Sequence, residues 1–484
     1  MIRTRIAPSP TGIAHIGTAW LSMFNLALAR QSGGQFIIRI EDTDRARFVP
    51  EAEAKIYEGL KWLGIDYDEG GIKGGPYEPY HQSERLEIYQ KYAKQLIENG
   101  WAYYCFATKE ELDQMRKDQI ERGELPRYDG RWREADEEEV EKRLNNGDPY
   151  VIRLKVPKGR IIKWTDLIRG EVEFKTDLID DQVLIKGDGF PTYHLAVVVD
   201  DYLMKITHIL RGEEWISSTP KHLLLYEAFG WEVPAMAHMP LIRNKDKSKI
   251  SKRKNDVSIL SYREKGYLPE AVTNFVALLG WSHPEGKEIF SLNEFMEVMT
   301  LERVQKTGPV FDWDKLNWYN GYYIRKMGQE RGMAELAKKL IADGFVKENF
   351  PVEKMELILP LVYERLVTLA DFSELSDFFW QEIVIDKKLL LKKADEEIVS
   401  GQLMLTKAFL ETINWSKEKI EEKIRNLTEE KCYKKSQYFM MLRIAVTGKT
   451  ATPPLFETME ILGKEKTIQR LNQAIKIIKG THDT

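Results

Sequence analysis

The first hundred residues alternate between short apolar segments and amphipathic helices, and few folds accommodate this pattern. Residues 2–7, IRTRIA, are predicted to form a strand, and the mainly apolar residues 36–40, FIIRI, to form a second, buried one. Apolar residues at helical spacing predict helices that begin at Ile16, near Glu51 and near Glu84. Strands that alternate with helices in this way predict an α/β fold with a doubly wound parallel sheet.

The turn between the first strand and the first helix crowds together Pro8, Pro10, Gly12 and a single histidine, His15. Amides at a helix N-terminus bind anions, so a strand, a tight turn and a helix start together predict a phosphate site. Gly17 has no Cβ and would let a ligand approach the first helical turn. The alternative is an ordinary strand-to-helix connection with a surface histidine.

A second polar segment, RNKDKSKISKRKN, begins at Arg243 and holds seven basic residues and one acid, Asp246. Taken alone, such a segment is as typical of a solvated surface loop as of a binding site. On the same α/β sheet as the proline-rich turn, its ammonium groups could hold the other side of a phosphate chain.

Composition limits the remaining possibilities. A chain of 484 residues is too long for one core and predicts several domains. Its net charge of −4 means that any nucleic-acid contact must come from local basic patches. Two cysteines, Cys105 and Cys432, cannot form a disulfide framework or a four-cysteine zinc site. No apolar run reaches the ~18 residues that a membrane helix needs and no secretory leader is evident, so we expect a cytoplasmic protein.

The alternation changes character along the chain. A charged helical run and short strand-like pieces between about residues 108 and 180 predict an insertion. Strand character returns in residues 181–201 and 205–215, where apolar runs end in polar clusters. Beyond Met327 strands largely disappear, so the last third is predicted to be helical.

These motifs resemble one family closely. His15-Ile16-Gly17-Thr18 resembles the HIGH signature of class I aminoacyl-tRNA synthetases, and residues 249–253, KISKR, resemble their KMSKS signature. The segments PSPTG, EDTD, YHLA and RGEEW narrow the resemblance to the glutamyl and glutaminyl branch. Thr18 and the helical last third are similar to bacterial-type glutamyl-tRNA synthetases, whose glutaminyl relatives carry β-barrels there. The resemblance covers nearly the whole chain.

The resemblance implies a Rossmann-type catalytic domain with an inserted α+β domain, followed by mainly helical domains. The implied limits are 1–87 and 188–240 for the two catalytic halves, 88–187 for the inserted acceptor-end-binding domain, 241–327 for a stem-contact domain that carries the KMSKS-like loop, and 328–484 for the helical anticodon-binding domains.

The implied activity is a glutamate–tRNA ligase reaction in two steps. ATP and L-glutamate form glutamyl-adenylate and diphosphate, and the glutamyl group then passes to the terminal adenosine of tRNA(Glu). The resemblance leaves open whether tRNA(Gln) is also a substrate. Mg²⁺ is expected to accompany ATP, no zinc is expected, and the protein is expected to be a monomer without membrane contact.

Three charged residues lie at the C-terminal ends of strands, where an open parallel sheet binds its ligands. Arg5 and Arg211 supply cations for two carboxylates, and Glu41 supplies an anion for an ammonium. The alternative for each is a surface ion pair. The resemblance implies the other site residues: His15, Lys249 and Lys252 in catalysis; Ala7, Ser9, Tyr193 and Val197 around glutamate; and His15, Gly17, Glu214, Ile242, Lys249, Ser251 and Lys252 around ATP. Relatives often have asparagine at the position of Val197, so one polar contact is expected to be missing.

Three other functions fit part of the pattern. A truncated relative glutamylates a modified base of another tRNA, but that enzyme lacks the helical last third. A catalytically inactive tRNA-binding paralogue would show eroded signatures, whereas both signatures are intact. The function of a small-molecule nucleotidyltransferase would not account for more than half of the chain.

Overall fold

The computed structural model describes residues 1–12, 14–44, 47, 49–248, 250, 258–327, 329–342, 352–392 and 394–480. The chain forms two compact units, one of Met1–Glu264 and Pro269–Leu316 and the other of Lys265–Leu268 and Asn317–Thr484. The five predicted domains divide the chain more finely than these two units, and their limits stay predictions.

All the strands of the described chain belong to the first unit. They are β1 (Arg3–Ile6), β2 (Gln35–Ile38), β3 (Glu69–Gly70), β4 (Ala102–Cys105), β5 (Val151–Leu154), β6 (Ile161–Asp166), β7 (Gly170–Lys175), β8 (Val183–Ile185), β9 (His208–Gly212) and β10 (Ala235–Met239).

Ten helices of the first unit lie between or after these strands. They are α1 (Ile16–Gln31), α2 (Ala52–Trp62), α3 (Leu86–Glu98), α4 (Lys109–Glu121), α5 (Glu137–Asn145), α6 (Tyr193–Leu203), α7 (Thr219–Phe229), α8 (Ile259–Glu264), α9 (Pro269–Ala277) and α10 (Leu292–Val298).

The strands are arranged in three sheets. Parallel strands form the first in the order β1-β2-β3, with Arg5 opposite Ile37. The second has the order β7-β6-β10-β9, in which β6, β10 and β9 are parallel. The Thr207 amide donates to the Arg3 carbonyl at 3.0 Å, which joins the chain just before β9 to β1. The predicted doubly wound parallel α/β fold is therefore confirmed.

The inserted segment contributes to two sheets. Antiparallel strands in the order β4-β5-β8 form a small separate sheet, as an α+β insertion requires. The β6-β7 hairpin also lies within 88–187, yet its Asp166 pairs with Met236 of β10. The segment predicted as an insertion therefore adds two strands to the sheet that contains β9 and β10.

Helix α6 corrects one sequence prediction. Residues 181–201 were expected to have strand character throughout, but the stretch from Tyr193 forms the helix α6. The valines of this stretch suggest a buried strand, and periodicity cannot separate a buried helix from a buried strand in so short an apolar run. Val197, Val198 and Val199 are each 1% exposed or less and pack in the core that α3, α6 and α7 form with the sheets.

The remaining helices follow α10, and the described part of the second unit contains helices only. They are α11 (Trp313–Lys326), α12 (Gln329–Ala342), α13 (Val352–Val362), α14 (Asp371–Trp380), α15 (Lys387–Leu391), α16 (Glu396–Leu410), α17 (Lys417–Glu430), α18 (Lys435–Thr447), α19 (Leu455–Leu462) and α20 (Lys464–Lys479). The predicted helical last third is confirmed.

Candidate active site

A cavity of about 680 Å³ lies at the carboxyl ends of β1, β2 and β9. This is the edge at which an open parallel sheet binds its ligands. The structure brings together there all but one of the residues predicted to surround glutamate. Those that line the cavity are Arg5, Ala7, Ser9, Glu41, Tyr193 and Arg211.

Val197 is the predicted glutamate-site residue that the structure does not bring to the cavity. It is 1% exposed and packs among the apolar residues of the core. It is not among the residues that line the cavity in the described chain. The first-turn residue Tyr193 does line the cavity, and the Trp215 ring lies against its own with centroids 4.1 Å apart.

Arg5 is held by a carboxylate from a distant part of the sequence. Its Nε and Nη2 atoms donate to the two oxygens of Asp201 at 2.9 and 3.1 Å. Arg39 donates to the same carboxylate at 2.7 Å, and all three side chains are buried. Although burial disfavours the charged guanidinium, Asp201 raises the pKa of Arg5, so Arg5 remains a fixed cation at the cavity.

Glu41 is a buried acid whose protonated and ionised forms have similar free energies near pH 7. Burial raises the pKa of Glu41 to about 7, although the Arg39 and Arg5 guanidiniums favour its ionised form. Arg39 donates to its Oε1 atom at 3.3 Å. A carboxylate in this state gains a proton readily when it has no partner and loses it when a cation binds beside it.

Arg211 is the most extensively bonded cation of the cavity. Its Nε atom donates to His238 at 3.0 Å, its Nη1 atom to His222 at 3.0 Å and to the Tyr193 hydroxyl at 3.4 Å, and its Nη2 atom to Thr219 at 2.8 Å. These bonds fix the rotation of the guanidinium plane at the wall of the cavity.

Because a guanidinium only donates, these bonds determine which nitrogen of His238 carries the proton. The Nε2 atom of His238 accepts from Arg211, so its Nδ1 atom carries the proton and donates to Asp166 Oδ2 at 2.6 Å. Burial lowers the pKa of His238, and the bond to Asp166 offsets only part of that effect. Asp166, His238 and Arg211 thus form a linear chain that ends at the cavity.

His222 and His194 continue the hydrogen bonding on the other side of Arg211. The Nδ1 atom of His222 accepts from Arg211, so its Nε2 atom donates to His194 Nδ1 at 3.0 Å. Burial and the nearby Arg211 charge lower the pKa of His222 well below its ordinary value. Burial lowers the pKa of His194 to about 3. Both rings are therefore neutral near pH 7, and Arg211 carries the positive charge of this group.

A second cavity of about 290 Å³ adjoins the first and contains the described residues predicted to bind ATP. His15, Gly17, Glu214 and Ile242 line it, and Glu214 lines both cavities. Lys249, Ser251 and Lys252, the other residues predicted for ATP, lie outside the described residues. Ile250, between Lys249 and Ser251 in the sequence, also lines this cavity.

His15 is the N-cap of α1 as well as a cavity residue. Its Nδ1 atom accepts from the Gly17 amide at 2.9 Å, so a neutral ring carries its proton on Nε2. A Cβ at position 17 would lie 3.2 Å from this Nδ1 atom, which is tighter than most real contacts. The glycine therefore gives the histidine ring room to cap the helix.

The described residues contain neither a cluster of metal-binding side chains nor a membrane-spanning helix. No group of three or more His, Cys, Asp or Glu side chains in this part of the chain could hold a metal ion. The expectation that the protein binds no zinc stays a prediction. None of the described helices is long and apolar enough to cross a membrane.

The sequence did not indicate several residues of this site. Asp201 lies 196 residues from Arg5 in the sequence, and Asp166 lies 72 residues from His238. His238 and His222 lie 27 and 11 residues from Arg211. Asp200 and Asp201 at the end of an apolar run were the available signal, because acids in such a position need buried cations.

Comparison with known proteins gives a consistent result. The family described as "tRNA synthetases class I (E and Q), catalytic domain" matches residues 1–318, and an anticodon binding domain matches residues 333–475. A glutamate–tRNA ligase of Thermus thermophilus is 47% identical over 98% of this chain and 100% of its own length. One of Acinetobacter baylyi is 45% identical over 99% of this chain and 94% of its own.

A solved structure gives the same result in three dimensions. The crystal structure of a glutamate tRNA ligase from Elizabethkingia meningosepticum, in complex with its amino acid, superposes with a TM-score of 0.85. The two chains are 40% identical, and the match covers 99% of each.

Proposed function

The chain belongs to the class I tRNA synthetases of the E and Q type, and from this membership we propose that it is a glutamate–tRNA ligase that forms glutamyl-adenylate between the two cavities. The observation that carries the mechanism is the wall that the cavities share. Thr18, Leu21, Gly212 and Glu214 line both, so an amino acid in one cavity and a nucleotide in the other would meet there.

The larger cavity has the charges that glutamate requires. Glutamate carries two carboxylates and one ammonium, and Arg5, Arg211 and Glu41 supply two cations and one anion at the cavity wall. The ammonium would favour the ionised form of Glu41, whose pKa burial raises to about 7. Glutamine lacks the second negative charge, so the same cations would bind it less well.

In the first step, an α-carboxylate oxygen of glutamate attacks the α-phosphorus of ATP. The bond between the α-phosphorus and its bridging oxygen breaks, and diphosphate leaves with that oxygen. The enzyme contributes no nucleophile, so the protein acts by positioning the reactants and by stabilising the charge that develops on the phosphates.

His15 would donate its Nε2 hydrogen to the phosphates from the head of α1, where the helix amides also favour an anion. We assign Lys249 and Lys252 to the other side of the phosphates, with Ser251 between them. Support comes from Ile250, which lines the smaller cavity and precedes Lys252 by two positions. Mg²⁺ would enter as the metal complex of ATP and reduce the charge repulsion among its phosphates.

In the second step, a ribose hydroxyl of the terminal adenosine of tRNA attacks the glutamyl carbonyl carbon. The bond to the phosphate oxygen breaks, AMP leaves, and the hydroxyl proton passes to solvent or to the departing phosphate. We propose that residues 88–187 receive the acceptor end, that 241–327 follow the inner side of the tRNA, and that 328–484 reach the anticodon. The match of residues 333–475 to an anticodon binding domain supports the last assignment.

We further propose tRNA(Glu) as the cognate substrate, and tRNA(Gln) as a second acceptor to be tested. The experiment charges each purified tRNA in turn with labelled glutamate or labelled glutamine. Glutamyl-tRNA(Glu) is the expected product, and glutamate on tRNA(Gln) would establish relaxed specificity. Failure to charge either tRNA with glutamate would overturn the proposal.

Lys252→Ala tests the catalytic assignment in the same assay. Removing one preorganised donor of this kind costs roughly 3 kcal/mol of barrier, so charging should slow by about a hundredfold or more. Lys61→Ala, a change of an exposed cation in the same unit but outside the segments assigned to tRNA, is the control and should leave the rate unchanged. Robust charging by Lys252→Ala would contradict the assignment.

A further inference from the structure

One glutamine in the wall of the larger cavity has no place in the mechanism above. Gln82 lines the cavity and is only 1% exposed. Its backbone amide donates to the carbonyl of Ile40 at 3.0 Å, which holds it beside the residue that precedes Glu41. Gln82 therefore lies next to the predicted partner of the substrate ammonium.

The orientation of the Gln82 amide is fixed by Asp200. Its Nε2 atom donates to Asp200 Oδ2 at 2.9 Å, and the Tyr89 hydroxyl donates to the same oxygen at 2.8 Å. Arg85 donates to the other oxygen of Asp200 at 2.8 Å, which anchors the carboxylate. A carboxylate only accepts, so the amide cannot turn its own oxygen toward Asp200.

The amide oxygen of Gln82 consequently points away from Asp200 and is left unsatisfied. Oε1 is buried and accepts no hydrogen bond from the described residues. Several other buried polar side chains share this condition, but in the described chain Gln82 alone among them lines the larger cavity. A buried acceptor without a donor is unfavourable, and a ligand with an N–H or O–H group would remove that penalty.

The groups around Gln82 Oε1 indicate which ligand donor it would accept a hydrogen bond from. A primary ammonium has three N–H groups, and the carboxylate of Glu41 can satisfy them only in part. A neutral carbonyl oxygen beside that carboxylate supplies a second acceptor without adding another buried charge. We propose that Gln82 Oε1 accepts a hydrogen bond from the α-ammonium of glutamate, next to Glu41. The inference rests on the proposed function, because it assigns the amino group of that substrate.

This role gives Gln82 a share in binding the amino acid and no part in the chemical step. An interaction that is equally strong in the ground state and in the transition state changes KM and leaves kcat unchanged. It also distinguishes glutamate from dicarboxylates without an amino group, which offer no donor to Oε1.

The test is Gln82→Met in the full-length enzyme, a change that keeps the length of the side chain and removes its polar atoms. Steady-state charging of tRNA should show a glutamate KM raised on the order of ten- to a hundredfold, the range for a hydrogen bond to a charged group. Turnover at saturating glutamate should change by less than about twofold. Glutarate has both carboxylates and no amino group, so its inhibition constant should be the same for both enzymes.

The ratio of the glutamate KM to the glutarate inhibition constant separates a lost ammonium contact from structural damage. Neither constant depends on the amount of folded enzyme. A collapsed Asp200 network would weaken glutarate and glutamate equally, and that result would overturn the proposal. An unchanged glutamate KM, or a rise confined to the KM for ATP, would also overturn it. Gln82→Asn withdraws the oxygen by one methylene and carries the same expectation as Gln82→Met.

Gln182→Met is the matched control. Gln182 is also a buried glutamine, at 8% exposure, and its amide has no hydrogen-bond partner in the described chain, but it does not line the cavity. Its variant should keep the wild-type constants for glutamate and glutarate. A wild-type enzyme that charges no tRNA with glutamate would instead contradict the proposed function, which is a distinct outcome.

Discussion

Ser258 pairs with His15 in an isolated antiparallel bridge, and the amide of the following Ile259 donates to the Ala14 carbonyl at 2.9 Å. On the other side of residues 251–257, the Ile250 amide donates to the Ile242 carbonyl at 3.1 Å. Ile250 and His15 line the same cavity. Ser258 and Ile259 therefore contact the turn that begins α1, and Ile250, on the other side of 251–257, lines the cavity at that turn.

His15→Asn tests the histidine separately from its capping role. Asparagine is a good N-cap, so α1 should keep its stability, but it lacks the imidazole N–H. We expect kcat for charging to fall by about a hundred- to a thousandfold, the cost of one lost preorganised donor. Steady-state charging assays measure the fall in kcat, and thermal unfolding of the same sample measures stability.

His15→Ala is the comparison variant. It removes the cap and the imidazole together, so it should match His15→Asn in rate and also lose ~1 kcal/mol of stability. A His15→Asn enzyme with wild-type turnover would show that the histidine serves only the helix.

Glu41 predicts a dependence of stability on pH. Burial raises its pKa to about 7 in the folded state, above the ordinary value of 4.5. The folded protein therefore holds this proton more tightly than the unfolded chain, and its stability falls as pH rises from about 4.5 to about 7. Glu41→Gln should remove that loss and stabilise the ligand-free protein at pH 8, by up to roughly 3 kcal/mol.

The same variant should bind substrate less well. The wild-type KM for glutamate should fall as pH rises through about 7, because the ionised carboxylate is the form that holds the ammonium. Glu41→Gln should have a higher KM without this pH dependence. Unfolding curves and charging kinetics between pH 5 and 8.5 measure both effects, and parallel pH profiles for the two proteins would contradict the assignment.

Asp166→Asn tests the chain that orients Arg211. An amide nitrogen facing His238 Nδ1 would move the imidazole proton to Nε2, where it would oppose the Nε–H group of Arg211. Loss of a charge-assisted bond costs ~1.5–3 kcal/mol, so kcat/KM for glutamate should fall roughly ten- to a hundredfold.

The KM for ATP separates a misoriented Arg211 from a general folding defect. The KM for ATP should stay at its wild-type value in Asp166→Asn, since Asp166 and His238 do not line the smaller cavity within the described chain. A general structural defect would raise both constants.

Asp201→Asn should destabilise the fold strongly. The change leaves the buried Arg5 and Arg39 without their shared carboxylate, and breaking a buried pair in this way costs about 3–5 kcal/mol. Asp66→Asn breaks the exposed pair with Lys73, which is worth ~0–1 kcal/mol, and serves as the control. Urea unfolding measures the stability of both variants. Equal unfolding midpoints would show that the buried network contributes little to stability.

The sequence allowed the fold class to be predicted because its evidence is local. Apolar spacing along the helix from Ile16 and the mainly apolar run before Glu41 are properties of short segments, and short segments determine where helices and strands begin. The helix of Tyr193 was missed for the same reason: a short valine-rich run meets the requirements of a buried helix and of a buried strand equally.

By itself, the sequence determined the alternation of elements, the turn at His15 and the charged residues Arg5, Glu41 and Arg211 at the C-terminal ends of strands. Only the tertiary structure decided which buried groups support them, such as Asp201 with Arg5 and His238 with Arg211. The reason is physical: a buried charge needs its partner within ~3 Å, and that partner can come from any distance along the chain. The spacing of residues in the sequence therefore does not reveal which residue is the partner.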